Sequence, residues 1–272
     1  MTATRLAGDL AIQAAFDRAR DEDRAALIVY LTAGYPDVAT SKACFAAAVR
    51  AGADVLEVGI PFSDPMMDGP VIQAANQHVI ESGLTVARQL DLVASLHHLE
   101  VPKLVMTYVT IADTRGYPRF ADECAEAGLA GVILPDLPAP EADPWLREAR
   151  RRGLATVFLA SSVSTDERLA AIGRASTGWV YATGLMGVTG VNAVAGDVTE
   201  RLVARVREHT ELPVAVGIGV RDRRSAAEVA RYADGVIVGS SIVRAAGEGD
   251  PAGAPERVGE LVRELRAGVA DR

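Results

Sequence analysis

Residues 56–70 read LEVGIPFSDPMMDGP and join a short apolar strand to a loop rich in glycine and proline. Alternation along this strand predicts that Leu56 and Val58 face one side, whereas Glu57 faces the other, away from the apolar side. A second carboxylate, Asp68, follows on the loop. One carboxylate on a strand and one on the adjoining loop are typical of an acid/base site.

The same strand pattern recurs along the chain and alternates with helical segments. Eight short runs are rich in apolar and β-branched residues: 26–33, 55–60, 103–109, 131–135, 156–160, 179–183, 214–220 and 236–240. Helical spacing occurs between them, at 41–51, 72–82, 120–127, 144–152, 166–175, 198–209 and 223–232. Eight such units predict an α/β fold, a parallel (β/α)8 TIM barrel.

The barrel is expected to form one domain over residues 1–272. The N-terminal residues 1–20 carry scattered apolar and acidic residues, which predicts an additional amphipathic helix rather than a signal peptide. Residues 247–255 are rich in glycine and proline and predict a flexible break before a C-terminal helix.

Composition indicates a small ligand and a cytoplasmic location. A net charge of -8 gives no electrostatic reason to expect nucleic acid or an anionic membrane as partner. No apolar run approaches the length of a membrane span. Cys44 and Cys124 both lie in alanine-rich helical segments, which predicts buried, reduced thiols.

In a barrel of this kind the active site is built at the carboxyl ends of the strands. The candidates at or just after predicted strand ends are Glu57, Asp68, Tyr108, Asp136, Tyr181, Thr189, Gly219 and Ser240. The four histidines lie in or beside predicted helices instead, which favours solvated or helix-end positions.

Glycines at the last three strands predict a phosphate-binding site. They lie in the segments 187–190, 217–219 and 239–241. Glycine lets the backbone approach an anion closely, and a helix beginning after Ser240 would add its positive end. Each Gly-x-Gly alone is a weak signal, because glycine also serves barrel packing.

Other mechanisms lack their residues. Imine catalysis needs a lysine in the site, but Lys42 lies in a helix and Lys103 at the start of a strand. Metal catalysis needs histidines near strand ends, and none is predicted there. Chemistry therefore falls to carboxylates and a tyrosine, with Glu57 as proton carrier, its pKa raised by burial, and Asp68 better solvated and ionised.

Structural roles remain open for several of these candidates. Asp68 could cap a turn, and Asp136 could shape its loop through backbone hydrogen bonds. Tyr108 and Tyr181 could be packing aromatics with satisfied hydroxyl groups.

The residues at these positions resemble the α subunit of tryptophan synthase over about residues 9–245. The segment 56–70 is highly specific for that family. Supporting motifs are LTAGYP at 31–36, VILPDLP at 132–138, GVTG at 187–190 and ADGVIVGS at 233–240.

The resemblance implies retro-aldol cleavage of indole-3-glycerol phosphate to indole and glyceraldehyde 3-phosphate. Glu57 matches the catalytic glutamate and Asp68 the aspartate that binds the indole N–H group. Tyr181 matches a site tyrosine, and Thr189 matches the threonine that contacts the aspartate loop on closure. The phosphate-binding positions are matched by Gly190, Ile218, Gly219, Gly239 and Ser240.

The resemblance also implies a β subunit as partner, in an α2β2 complex, which would hold pyridoxal phosphate while this chain holds no cofactor or metal. Thr110, in a region that faces the β subunit in the family, and Leu185, in the closing loop, depart from the common pattern. The alternatives are a stand-alone lyase releasing indole, another phosphosugar lyase or isomerase, and an inactive barrel that activates a β subunit.

Overall fold

The computed structural model describes residues 6–184, 194–217 and 219–271. Within them, eight parallel strands pair in chain order, and β8 pairs with β1 to close a barrel. The strands are β1 (Ala26–Thr32), β2 (Val55–Gly59), β3 (Lys103–Met106), β4 (Gly131–Ile133), β5 (Ala155–Ser161), β6 (Val180–Thr183), β7 (Val214–Val216) and β8 (Gly235–Val238). The predicted TIM barrel is confirmed.

Helices surround the barrel and cover one of its ends. They are α1 (Ala7–Asp21), α2 (Val38–Arg50), α3 (Pro70–Glu81), α4 (Val86–Ala94), α5 (Val109–Arg115), α6 (Tyr117–Glu126), α7 (Asp143–Arg152), α8 (Asp166–Ala175), α9 (Val194–Arg207), α10 (Arg223–Ala230), α11 (Ser240–Gly247) and α12 (Ala254–Gly268). Short 3-10 helices span Ala139–Glu141 and Pro251–Gly253. None of these helices, within the described ranges, is long and apolar enough to cross a membrane.

Side chains of alternate strand residues fill the inside of the barrel. Every strand contributes to this inner cluster, for example Ile28 from β1, Val55 from β2 and Ile237 from β8. The N-terminal helix α1, which the sequence predicts, closes the amino ends of the strands, where its Phe16 packs on Trp179 with ring centroids 6.0 Å apart. Apolar packing thus fills that end and leaves the carboxyl ends for a site.

The outer layer lies between strands and helices and forms the larger apolar cluster. Cys44 and Cys124 are both buried in it as free thiols, which confirms the sequence prediction. In residues 247–255, where a flexible break is predicted, Asp250 caps the 3-10 helix by accepting a 3.1 Å hydrogen bond from the N–H group of Ala252. Arg257 donates to the carbonyls of Ala245 and Asp250 and so joins α12 to this turn.

Two strands end three or four residues earlier than their sequence pattern predicts. The run 103–109 stops as a strand at Met106, and α5 begins at Val109, because the Asp136 carboxylate accepts a 2.8 Å hydrogen bond from the N–H group of Val109. The run 214–220 stops as a strand at Val216. Helices α4 and α5 have no counterpart among the predicted segments.

Candidate active site

Glu57 lies inside the barrel on β2, between Tyr30 of β1 and Leu104 of β3 in the strand register. It is 1% exposed, and none of the described residues hydrogen bonds to either of its carboxylate oxygens. Burial without a partner penalises the charged form and raises the pKa of Glu57 to about 8. A carboxyl group of this kind can donate and accept a proton near neutrality.

Two buried tyrosines flank Glu57 across the mouth of the barrel. A Cβ atom on Gly59 would lie 2.1 Å from the hydroxyl oxygen of Tyr30, and one on Gly217 would lie 2.3 Å from that of Tyr181. The two tyrosine rings therefore fill the space that a side chain at position 59 or 217 would need. Burial raises the pKa of both tyrosines, so both hydroxyl groups stay neutral.

The second carboxylate, Asp68, shares this mouth. Tyr30 and Tyr181 each interact electrostatically with both Glu57 and Asp68. The Asn76 side chain on α3 donates a 2.9 Å hydrogen bond from Nδ2 to Oδ2 of Asp68. The two acids therefore act on the same two tyrosines, although one lies on a strand and the other on a loop.

Asp68 is half-buried, so it is better solvated than Glu57, as the sequence predicts. Burial nonetheless raises the pKa of Asp68 to about 6, against lowering contributions from Asn76 and the Tyr108 hydroxyl group. The sequence does not indicate this shift. At neutral pH Asp68 is mainly ionised and Glu57 mainly protonated, so the pair can divide acid and anion roles.

Tyr108 holds the loop that carries Asp68. Its hydroxyl oxygen accepts a 2.8 Å hydrogen bond from the N–H group of Met67, and its ring stacks on Phe62 with centroids 5.1 Å apart. Tyr108 thus has a packing role with a satisfied hydroxyl group, one of the two roles that the sequence leaves open. It also borders the site through its contribution to the pKa of Asp68.

Three of the phosphate-binding candidates, Gly219, Gly239 and Ser240, lie just after the ends of β7 and β8. Gly219 has a φ of 65°, a conformation that favours glycine, and Ser240 begins α11 with no side chain of the described residues capping that helix. The Ser241 hydroxyl group donates a 3.3 Å hydrogen bond to the carbonyl of Val220, which joins the two loops. Gly239, Ser240 and Gly219 therefore line one rim.

Three predicted site residues lie outside the described residues: Thr189, Gly190 and Ile218, together with Leu185 of the same region as the first two. The structure also places Lys103, which the sequence excludes from the chemistry, and Asp136, whose role the sequence leaves open. Lys103 donates its Nζ hydrogens to the carbonyls of Leu99 and Val101 before β3. Asp136 holds the start of α5, which is the loop-shaping role.

Sequence reasoning missed three buried polar residues near the carboxylates: Tyr30, Thr32 and Asn76. A signal for the first two exists, since Tyr30 and Thr32 have the same parity as the inward-facing Ile28 on β1. Asn76 lies within a helical segment, and nothing in its spacing distinguishes it from a surface amide.

Fold and site together define a (β/α)8-barrel protein that carries two carboxyl groups with raised pKa values. The sequence model of the family described as tryptophan synthase alpha chain matches residues 16–269. The chain belongs to this family. It is therefore a lyase of tryptophan biosynthesis, and retro-aldol cleavage is the known activity of its family.

Relatives and solved structures agree over nearly the whole chain. The tryptophan synthase alpha chain of Streptomyces avermitilis is 48% identical over 92% of this chain and 91% of its own length. That of Mycobacterium marinum is 46% identical, with 94% of each chain covered. A Mycobacterium tuberculosis tryptophan synthase structure superposes with a TM-score of 0.88 at 44% identity, covering 95% of this chain and 98% of that one. The family resemblance is confirmed.

Proposed function

We propose that Glu57 and Asp68 carry out the retro-aldol cleavage of indole-3-glycerol phosphate to indole and glyceraldehyde 3-phosphate. The observation that carries this assignment is the carboxyl group of Glu57, which has no hydrogen-bond partner among the described residues and is buried inside the barrel with a pKa raised to about 8. A buried acid without a partner is costly to fold, and a proton-transfer role accounts for it.

Glu57 acts first as an acid and then as a base. Its carboxyl group protonates C3 of the indole ring, which turns the ring into an electron sink. The carboxylate then takes the proton of the glycerol hydroxyl next to the ring. As that O–H bond breaks, a C=O bond forms, and the C–C bond to C3 breaks with its electron pair returning to the ring. Indole and the aldehyde leave, and Glu57 is protonated again.

Asp68 accepts a hydrogen bond from the indole N–H group and stabilises the cationic ring that protonation creates. Its pKa of about 6 keeps it mainly ionised at neutral pH, which this role requires. Tyr181 and Tyr108 border the ring in this proposal. The neutral hydroxyl group of Tyr181 adds no charge that would compete with the substrate.

The phosphate group binds at the rim formed by Gly219, Gly239 and Ser240, where the positive end of α11 faces it. Gly190 and Ile218 complete this set in the proposal, and Thr189 contacts the Asp68 loop when the site closes. With the phosphate at this rim, the indole ring would lie against the two carboxylates, on the other side of the barrel mouth.

Family membership implies a β subunit partner as well as a substrate. We propose an α2β2 complex in the cytoplasm, in which the β subunit holds pyridoxal phosphate and receives the indole. The loop around Phe62 supports a docking role, because its apolar side chain Met66 is 79% exposed.

The test measures indole release from indole-3-glycerol phosphate by wild type, Glu57→Gln and Asp68→Asn, with and without the cognate β subunit. Each substitution is expected to lower kcat by roughly 100-fold or more, because a positioned acid/base group contributes that much. Near-wild-type release by either variant would contradict the assignment. Equally fast release without the β subunit would contradict the complex but leave the chemistry intact.

A further inference from the structure

A buried amide on α3 lies between the loop carboxylate and the barrel wall and has no part in the proposed reaction. Asn76 is 3% exposed. Its Nδ2 donates to Oδ2 of Asp68 at 2.9 Å, and its Oδ1 accepts a 3.3 Å hydrogen bond from the Thr32 hydroxyl group. Because an ionised carboxylate only accepts, this is the orientation of the amide that satisfies both neighbours.

The far end of this hydrogen-bonded chain is rigid. Thr32 is 1% exposed and pairs with Gly59 at the carboxyl end of β1. Its hydroxyl oxygen also lies 3.5 Å from that of Tyr30, which interacts electrostatically with Glu57. The chain therefore leads from the barrel wall through a helix to the loop.

The groups that face Asp68 come from several elements. Tyr108 lies between β3 and α5, Tyr30 is on β1 and Tyr181 is on β6. Of the two groups that lower the pKa of Asp68, Asn76 has the larger effect and the Tyr108 hydroxyl group the smaller. Asn76 thus favours the ionised carboxylate most.

We propose that Asn76, held by Thr32, is a positioning residue that fixes Oδ2 of Asp68 so that Oδ1 can accept a hydrogen bond from the N–H group of the substrate. The inference rests on the proposed function for the identity of that N–H group. Without Asn76, the substrate itself would have to order the carboxylate of Asp68, which would cost part of the binding free energy.

The first measurement follows the ionisation of Asp68 in the substrate-free protein by carbon NMR, in wild type and Asn76→Ala. Loss of one charge-assisted hydrogen bond is expected to raise the titration midpoint by about one pH unit. An unchanged midpoint would overturn the proposal. This readout does not depend on activity. If the wild-type protein released no indole, the proposed function would be wrong, but the titration would still test the role of Asn76.

The second measurement is the pH profile of kcat/KM for indole release. Asn76→Ala is expected to lower kcat/KM about tenfold at neutral pH and to move the acid limb upward, so that part of the loss returns at higher pH. A uniform loss at all pH values, with the limb in place, would indicate a merely structural role and would overturn the positioning role.

Two further variants separate positioning from folding. Thr32→Val removes the hydroxyl group that orients the amide and is expected to raise the titration midpoint of Asp68 by less than Asn76→Ala does. Thr32→Ser keeps a hydroxyl group and is expected to keep the wild-type midpoint. Gln77→Ala lies on the same helix, where its side chain bonds only to the exposed Glu81 among the described contacts. It is expected to leave both readouts at wild-type values, and a shift of equal size there would contradict the proposal.

Discussion

At the scale of the residue, a buried carboxyl group favours its neutral form, and folding buries Glu57 with no hydrogen-bond partner in the part of the chain that the structure describes. The pKa of Glu57 rises from its ordinary 4.5 to about 8. The Glu57 carboxyl group therefore binds a proton more tightly in the folded chain than in the unfolded chain, so its contribution to stability is fully present below pH 4.5 and is lost as the pH rises to about 8. Asp68 contributes a pH dependence of stability with the same sign, between pH 3.8 and about pH 6.

This sign predicts that Glu57→Gln, which lacks the proposed proton carrier, is more stable than wild type under alkaline conditions. We expect a gain on the order of a few kcal/mol at pH 9, shrinking toward zero near pH 5, because the amide has no charge to bury. Urea unfolding of both proteins at pH 5, 7 and 9 measures it. A constant difference between the two proteins across this range would show that Glu57 titrates normally in the folded chain.

At the scale of the element, strands β1 and β2 meet through a tyrosine that requires glycine opposite it. A Cβ atom at Gly59 would lie 2.1 Å from the Tyr30 hydroxyl oxygen, so Gly59→Ala must displace the ring or the strand. We expect a loss of about 1–3 kcal/mol in the free energy of unfolding, as for overpacking in a core. Chemical denaturation measures the loss.

The matched control is Gly69→Ala, since a Cβ atom there has nothing within 4 Å and its φ is −75°. Because Gly69 is the N-cap of α3, where glycine is preferred to alanine, this variant is expected to cost at most about 1 kcal/mol. Combining Gly59→Ala with Tyr30→Ala is expected to give a smaller loss than the sum of the two single changes. Strict additivity would mean that the two side chains do not compete for space.

The elements also show how far sequence patterns reach. Alternating strands and helices predict the barrel, its N-terminal helix and the inward side of Glu57, because these follow from local periodicity and burial. The end of β3 does not follow from local periodicity, since residues 109–111 are β-branched or apolar and favour a strand. A carboxylate 27 positions away, Asp136, starts the helix at Val109. Asn76 was missed for a similar reason, since its partners Thr32 and Asp68 meet only in the folded chain.

At the scale of the whole molecule, the two ends of the barrel have different tasks. The amino ends of the strands carry a buried ion pair, in which Arg24 donates to both carboxylate oxygens of Asp54 at 2.6 and 2.8 Å. Asp54 also accepts from the N–H group of Leu27. The pair therefore ties the start of β1 to the residue before β2, at the end opposite to the proposed chemistry.

Asp54→Ala is expected to destabilise the fold by about 3–5 kcal/mol, because it leaves the buried Arg24 guanidinium without its main partner. The KM for the substrate and kcat of the fraction that stays folded should be unchanged, since the carboxyl ends of the strands lie across the packed interior. Urea unfolding and initial rates at low temperature measure the two effects. The surface pair between Arg223 and Asp271, 2.7 Å apart, provides the control, and Arg223→Ala is expected to cost far less than Asp54→Ala, because exposed ion pairs contribute little to stability. If Asp54→Ala altered KM while stability held, the two ends of the barrel would be coupled, and the separation of stability from chemistry would be wrong.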